Sequence, residues 1–334
     1  MWRMPAEWEP HEATWLAWPH ERSDWPGKFA PIPWVYGDIV KRLSRVERVR
    51  IIVEDATLEK SARRVLAKCA VDMSAVEFLR WPTNRSWTRD YCPIFVRNED
   101  GKIGITNWIF NGWAKYDNWR DDNRIPSRVA KRFKVTREFE PGIVLEGGSI
   151  DVNGAGLLLT TDECLLSESV QVRNPGLGRA DLERYFADYL GIRQTIWLKQ
   201  GIAGDDTHGH IDDVARFVDV KTIVTVVDEP LGENLKLLRR TGLRIVTLPM
   251  PAPVYFDGQR LPASYANFYI ANGLVLVPTF NDPNDRVALN TLAKLFPSRE
   301  VVGIYCGDLV LGLGTLHCMT MQEPAPAPGQ QPRP

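Results

Sequence analysis

Five segments of the chain share one alternation of hydrophobic and polar positions. Each begins with a β-branched or apolar run, passes a polar loop into a stretch with apolar residues at helical spacing, and returns to a second apolar run. In the first, "VRIIVEDATLEKSARRVLAKCAVDMSAVEFLRW", Val49 to Val53 predicts a strand and Leu58 to Ala70 an amphipathic helix. The second runs from "IGITNWIF" through "IPSRVAKRF" to "GIVL", the third from "GLLLTTDECLL" through "RADLERYFADYL" to "QTIWL". The fourth is "KTIVTVVDEPLGENLKLLRRTGLRIVTLP", and the fifth runs from "GLVLVPTF" through "DRVALNTLAKLF" to "EVVGIYC". Strands alternating with helices predict an α/β fold. The segments start near residues 48, 103, 155, 221 and 272. Self-similarity at a loose, recurring period points to radial or stacked repeats. A doubly wound sheet is the rival, but no Gly-rich GxGxxG comes after an early strand, which weakens a dinucleotide reading.

The loops after each segment's last run carry more chemistry than the segments themselves. These five loops are "TNRSWTRDYCPIFV", "LEGGSIDV", "KQGIAGDDTHGHIDDVARFV", "PASYANFYI" and "CGDLVLGLGTLHCMT". If the units surround an axis, equivalent loops meet there, and scattered residues become one site.

Composition narrows the class. A chain of 334 residues with 44% hydrophobic and 25% charged residues is a soluble globular protein, and its net charge of −1 gives no reason to expect nucleic acid or an acidic membrane as partner. Cys69, Cys92, Cys164, Cys306 and Cys318 are odd in number, scattered and without a CxxC pair, which suits a reducing compartment. The N-terminus lacks the uninterrupted apolar stretch of a signal peptide, and no run of about 18 apolar residues occurs. The cytoplasm is therefore the expected location. Eleven of the twelve tryptophans lie in the first 119 residues; packing of an irregular N-terminal segment accounts for them more simply than substrate stacking. Residues 1–323 read as one domain, and 324–334, with five prolines and no apolar periodicity, as a disordered tail.

"GDDTHGHIDD", Gly204 to Asp213, holds four carboxylates and two histidines. His208, His210 and the acids Asp205, Asp206, Asp212 and Asp213 could contribute to a zinc or manganese site. The chain shows no second acid-rich cluster of the kind a two-metal centre requires. Cys318 offers another account. A nucleophilic cysteine needs a histidine from elsewhere in the fold. His210 is the better partner: in an extended segment it shares a face with Asp212, whereas His317 would point away from Cys318. His208 reads as a solvated loop residue. Asp90, Glu146 and Asp212 lie between apolar or aromatic neighbours. Several carboxylates and one thiol suggest a cationic substrate, and a planar guanidinium pairs bidentately with carboxylates. A thiolate is the nucleophile suited to a guanidinium carbon near neutral pH.

"MPAEWEPHEATWLAWPH", "WTRDYCPIFV", "LEGGSIDVNGAG", "GDDTHGHIDDVARF" and "LGTLHCMT" together resemble the agmatine deiminase family, which is related to bacterial-type peptidylarginine deiminase. The resemblance spans residues 4 to about 323. It implies the pentein fold, an α/β propeller of five ββαβ units about a pseudo-fivefold axis. It also implies conversion of agmatine to N-carbamoylputrescine and ammonia without metal or organic cofactor. Carried onto this chain, the nucleophile is Cys318 and the general acid–base is His210. Asp90 and Asp212 bind the guanidinium, Glu146 orients the histidine, and Trp87 lines the substrate channel. Dimers are common in that family, which leaves a homodimer open. Peptidylarginine or another small guanidine as substrate, amidino transfer, and a pentein that binds without catalysis are the alternatives. The chain departs from the family pattern at Cys92, where glycine is usual in "RDYCP", and at Leu313 and Thr315 in "GLGTLHC".

Overall fold

In Arg48–Val53 every residue but the first is buried, as in a strand covered on both faces. It pairs in parallel with His11–Ala17 on one side and Val76–Arg80 on the other. The crossovers are the helices Ile32–Leu43 and Ala56–Lys68. The second helix begins two residues before the predicted Leu58 because the Asp55 carboxylate accepts the Leu58 N–H as an N-cap. It ends before Ala70, whose φ of 56° is left-handed.

The computed structural model describes residues 1–228 and 231–327. It is an α/β fold. Four further sheets share one plan: an antiparallel pair, a helix, then a strand parallel to the second. The first comprises Ile94–Asn98, Ile103–Thr106, helix Ile125–Phe133 and Glu138–Phe139. The second comprises Asp151–Val152, Leu157–Thr161, helix Arg179–Leu190 and Gln194–Leu198. Ala215–Asp219, Thr222–Val226, helix Gly232–Arg239 and Arg244–Leu248 form the third. Tyr269–Ala271, Leu274–Thr279, helix Pro283–Leu295 and Glu300–Tyr305 form the fourth.

Two features differ from the sequence expectation. In the second segment the parallel partner is Glu138–Phe139 rather than "GIVL", which contributes only an isolated bridge, Ile109 to Val144. The chain ends also complete sheets: Met321–Pro324 lies antiparallel to His11–Ala17, and Trp2–Arg3 edges Ile94–Asn98. Order continues past the predicted boundary at 323, since the Ala325 N–H donates to the Pro10 carbonyl at 2.8 Å. Residues 328–334, the rest of the expected Pro-rich tail, lie outside the described residues.

Trp15, Trp18 and Trp25 are fully buried, and Trp15 stacks on Trp81 at 6.1 Å and meets Phe133 edge-on at 5.5 Å. These tryptophans pack the N-terminal core, as the simpler reading expects. Trp87 and Trp113 instead line a cavity. Among the described residues no helix is long and apolar enough to cross a membrane.

Candidate active site

Five loops that enter the first strand of a sheet converge. The short helix Thr88–Tyr91 precedes Ile94–Asn98, and the turn Gly147–Ser149 precedes Asp151–Val152. The turn Ile211–Asp213 precedes Ala215–Asp219, Asn267 precedes Tyr269–Ala271, and a turn at 316–319 precedes Met321–Pro324. Asp90, Glu146, His210, Asp212 and Cys318 are all buried there.

Asp90 Oδ1 accepts the Gly148 N–H at 3.0 Å and lies 3.9 Å from His210 Nδ1. The Trp113 indole N–H donates to Asp90 Oδ2 at 2.8 Å. Asp212 Oδ2 is 2.7 Å from His317 Nδ1 and 3.7 Å from Cys318 Sγ. Asn267 ties the loop around Cys318 together. Its amide N–H donates to Cys318 Sγ at 3.1 Å and to Asp213 Oδ1 at 3.0 Å. Its Oδ1 accepts from the Thr315 hydroxyl at 2.7 Å and the His317 N–H at 3.0 Å. Gly148 is required by space: a Cβ there would stand 2.6 Å from His210 Nδ1, 2.8 Å from Asp90 Oδ1 and 3.1 Å from Asp212 Oδ2.

Glu146 is not an open guanidinium receptor. Its Oε1 accepts from Arg173 Nε at 3.0 Å, with both side chains fully buried. The remaining Arg173 donors reach the Gln171 and Thr207 carbonyls at 2.9 and 2.6 Å. Among the described residues, Glu146 Oε2 and both ring nitrogens of His210 have no hydrogen-bond partner. Donor atoms of Glu146, Cys164 and His210 lie within 4.8 Å of one another.

Two local expectations give way. His210 and Asp212 are joined by a 3-10 turn rather than an extended segment, and both lie behind the cavity's lining residues. His317 does not point away from Cys318, because 316–319 is a turn: both residues reach the same Asp212 oxygen. His317 Nε2 also meets Glu7 Oε2 at 2.8 Å. The ring of His317 thus bridges two buried carboxyl groups, Asp212 and Glu7. Glu7 is further held by Arg216 at 2.8 Å and Arg89 at 3.4 Å.

The field of this cluster separates its acids. Burial, with Asp212 and Glu146 adding and His210 opposing, pushes the Asp90 carboxyl up to about 6. Burial also acts on Asp212, but the His317 hydrogen bond and charge, with His210 and Arg216, hold it below the ordinary carboxylate value. For His210 burial opposes the charged ring, yet Asp90, Cys164 and Asp212 outweigh it and raise the imidazole well above its usual value. Burial and then the charges of Asp212, Asp213 and Asp90 push the Cys318 thiol well up.

The other polar groups of "GDDTHGHIDD" are engaged in shaping the loop. Asp205 accepts N–H groups of Thr207, Gly209 and His210 at 2.8, 2.7 and 3.1 Å. Asp206 accepts from Lys115 and Tyr116 at 2.5 and 2.7 Å. His208 lies 3.7 Å from Glu163, so it is a partly solvated loop residue. Asp205 and Asp206 are therefore committed within the fold, whereas His210, Asp212 and Asp213 of this stretch belong to groups with metal-ligand spacing.

Cys318 and Asp90 line a cavity of about 910 Å³ together with Trp87, Trp113, Tyr116, Phe256 and Leu313. Trp87 is held by its indole N–H to Asp24 at 3.1 Å. Leu313, where the family pattern has glycine, has a φ of 66°, and this explains why glycine is favoured there. Sequence reasoning misses Trp113, Arg173, Asn267, Glu7 and the role of His317. Asn267 is within its reach, since it lies in the fourth of the five loops that trail the repeated segments. Arg173 and Glu7 lie outside all of them; Arg173 carries no local signal, whereas Glu7 falls within the motif "MPAEWEPHEATWLAWPH".

The chain matches the model of the Porphyromonas-type peptidyl-arginine deiminase family over residues 3–324. It is 33% identical over 360 residues to an agmatine deiminase of Pseudomonas syringae pv. tomato, covering 97% of this chain and 95% of that one. A substrate-bound variant of the C. jejuni agmatine deiminase superposes with a TM-score of 0.89 at 32% identity, covering 98% of this chain and 97% of the other. The Enterococcus faecalis agmatine deiminase gives a TM-score of 0.88 at 30% identity, with 97% and 96% covered.

Proposed function

The chain belongs to the Porphyromonas-type peptidyl-arginine deiminase family, and from that premise we propose that it hydrolyses agmatine to N-carbamoylputrescine and ammonia. The observation that carries this reading is a buried thiol that lines an aromatic-walled cavity together with Asp90 and lies 3.7 Å from Asp212. The cavity also favours an amine over an amino acid at the substrate's far end. Arg85 is the single cationic side chain among the described wall residues, and it is engaged by Asp24 and by Asn118 at 3.1 Å. A distal carboxylate therefore finds no uncommitted cation, whereas a distal ammonium meets a wall bearing Asp257, Asp206 being engaged by Lys115 and Tyr116.

In this mechanism Asp90 and Asp212 hold the guanidinium by charge-assisted hydrogen bonds. The bound cation lowers the thiol that the same acids raise, so Cys318 loses its proton as substrate arrives. The thiolate adds to the guanidinium carbon. His210, as imidazolium, protonates one amino group of the adduct, and ammonia departs to leave a covalent thiouronium. Neutral His210 then takes a proton from a water that attacks the same carbon. The C–S bond breaks, releasing thiolate and ureido product, with one proton passing to solvent. Glu146, fixed by Arg173 and with a donor oxygen within 4.8 Å of a His210 ring nitrogen, orients that histidine. These roles need no cofactor, nucleic acid or membrane. The five sheets and five convergent loops support a single domain of five ββαβ units about a pseudo-fivefold axis.

Ammonia release from agmatine, free arginine and a blocked arginyl peptide, compared side by side, tests the substrate. Turnover of agmatine alone is expected. Turnover of the peptide keeps the chemistry and overturns the substrate, and silence on all three favours a pentein that only binds.

Asp90 must be ionised to pair with a cation, so kcat/KM for agmatine is expected to fall as pH drops through about 6. Trp113→Phe removes a hydrogen bond that stabilises the carboxylate, so the acid limb should move to higher pH. An unmoved limb would assign it to another group. Gly148→Ala places a methyl against Asp90, His210 and Asp212 together. Such misplacement predicts a loss in kcat of about 100-fold or more, with a near-native circular dichroism spectrum. Wild-type turnover would show that these atoms need not be so close.

A further inference from the structure

We infer that Glu146, Cys164 and His210 form an inhibitory site for a thiophilic divalent cation such as zinc. Their thiol, imidazole and carboxylate donors lie within 4.8 Å of one another, and all three side chains are buried. Tetrahedral zinc, with bonds of about 2.0–2.3 Å to N, O and S, needs only a modest closing of such a triangle. The polar atoms already point to a missing partner. Both ring nitrogens of His210 and Oε2 of Glu146 make no hydrogen bond, while Arg173 occupies only Oε1. Unpaired buried polar groups are costly, and a cation would satisfy two of these residues at once.

A rival triangle exists at Asp212, Asp213 and Cys318. It is poorer in two respects. It has no nitrogen donor, which suits a borderline-soft ion less. Most of its atoms are also engaged: Asp212 Oδ2 by His317, and Asp213 Oδ1 and Cys318 Sγ by Asn267, which leaves Asp212 Oδ1 as its unpartnered oxygen. The Glu146–Cys164–His210 site adjoins the cavity through Asp90, 3.9 Å from the imidazole. Binding would release the thiol and imidazolium protons to solvent, since the ligands must be deprotonated. His210 would then have no proton for departing ammonia, and both half-reactions would stop. The ion is an inhibitor here, not a cofactor, and the site does not depend on which guanidine is the substrate.

The first test avoids turnover altogether. Co²⁺ titrated into Cys318→Ser protein is expected to give a thiolate-to-cobalt charge-transfer absorption in the near ultraviolet, absent when Cys164→Ser is added. In the wild type, Zn²⁺ should arrest ammonia release, a chelator should restore it, and Cys318 should still react with iodoacetamide at saturating Zn²⁺. Cys164→Ser and Cys164→Ala, each compared with its own metal-free rate, should weaken inhibition by more than the about 10–100-fold that loss of an outer-shell partner costs. Absorption that needs Cys318 but not Cys164, inhibition unchanged in both Cys164 variants, or alkylation blocked in step with inhibition would place the ion on the rival triangle. No absorption at all would also overturn the proposal. Because the cobalt signal requires no substrate, its failure is distinguishable from failure of the agmatine reading.

Discussion

Cys318→Ser is expected to bind agmatine and turn it over on the order of 10⁵-fold more slowly than the wild type, comparable to the loss of a hydrolase nucleophile. The substitution changes one atom. Asp90 still lines the cavity and Asp212 still lies beside residue 318, so the proposed receptors of the guanidinium are kept. A serine hydroxyl, however, is far harder to ionise than a thiol, and the acids that raise the thiol would oppose an alkoxide equally. Calorimetric titration with agmatine and an ammonia assay separate the two effects. Retained binding with lost turnover is the expected pair of results. Residual turnover within about 100-fold of wild type would remove Cys318 from the chemistry, a far smaller loss than a nucleophile deletion causes. Loss of binding would mean that the sulfur helps to hold substrate.

The second large effect concerns stability. Arg173→Met leaves Glu146 fully buried with no cation against it. Breaking a buried ion pair on one side costs about 3–5 kcal/mol, because the remaining charge is uncompensated. The midpoint of urea unfolding should fall accordingly. Pairing it with Glu146→Gln removes the orphaned charge, so the double variant should recover much of the loss in stability but little activity, since His210 loses its carboxylate neighbour. Arg173→Met and the double variant with equal stability would show that the pair is not energetically coupled. The activity readout distinguishes positioning of His210 from simple support of the fold.

Both predictions show how unevenly the site is legible in the sequence. Cys318, His210, Asp212, Asp90 and Glu146 lie in the loops that trail apolar runs, and each is the type of residue that guanidine chemistry needs. Their convergence stems from the repeat. Arg173 lies between a short helix and Arg179–Leu190, in a stretch with neither repeat nor motif. It becomes important only because the fold lays it along Glu146. His317 is the opposite case. It is conspicuous beside Cys318, yet strand alternation assigns it the wrong face, because that alternation fails in a turn. The aspartates of "GDDTHGHIDD" meet the same limit. Composition cannot reveal that Asp205 caps its own loop and that Asp206 is engaged by Lys115 and Tyr116.

By itself the amino-acid sequence determined the α/β class, the strand and helix positions within a few residues, and the candidate nucleophile, base and acids. Those features depend on periodicity and on local residue chemistry, which are written along the chain. The tertiary structure alone decided the closure of a sheet by the two chain ends, the pairing of Glu146 with Arg173, and the His317 bridge between Asp212 and Glu7. It also decided which carboxyl is raised and which is lowered. These depend on distances of a few ångströms between residues up to 310 positions apart. Electrostatic energy is set by such distances and by burial, and neither quantity exists until the chain has folded.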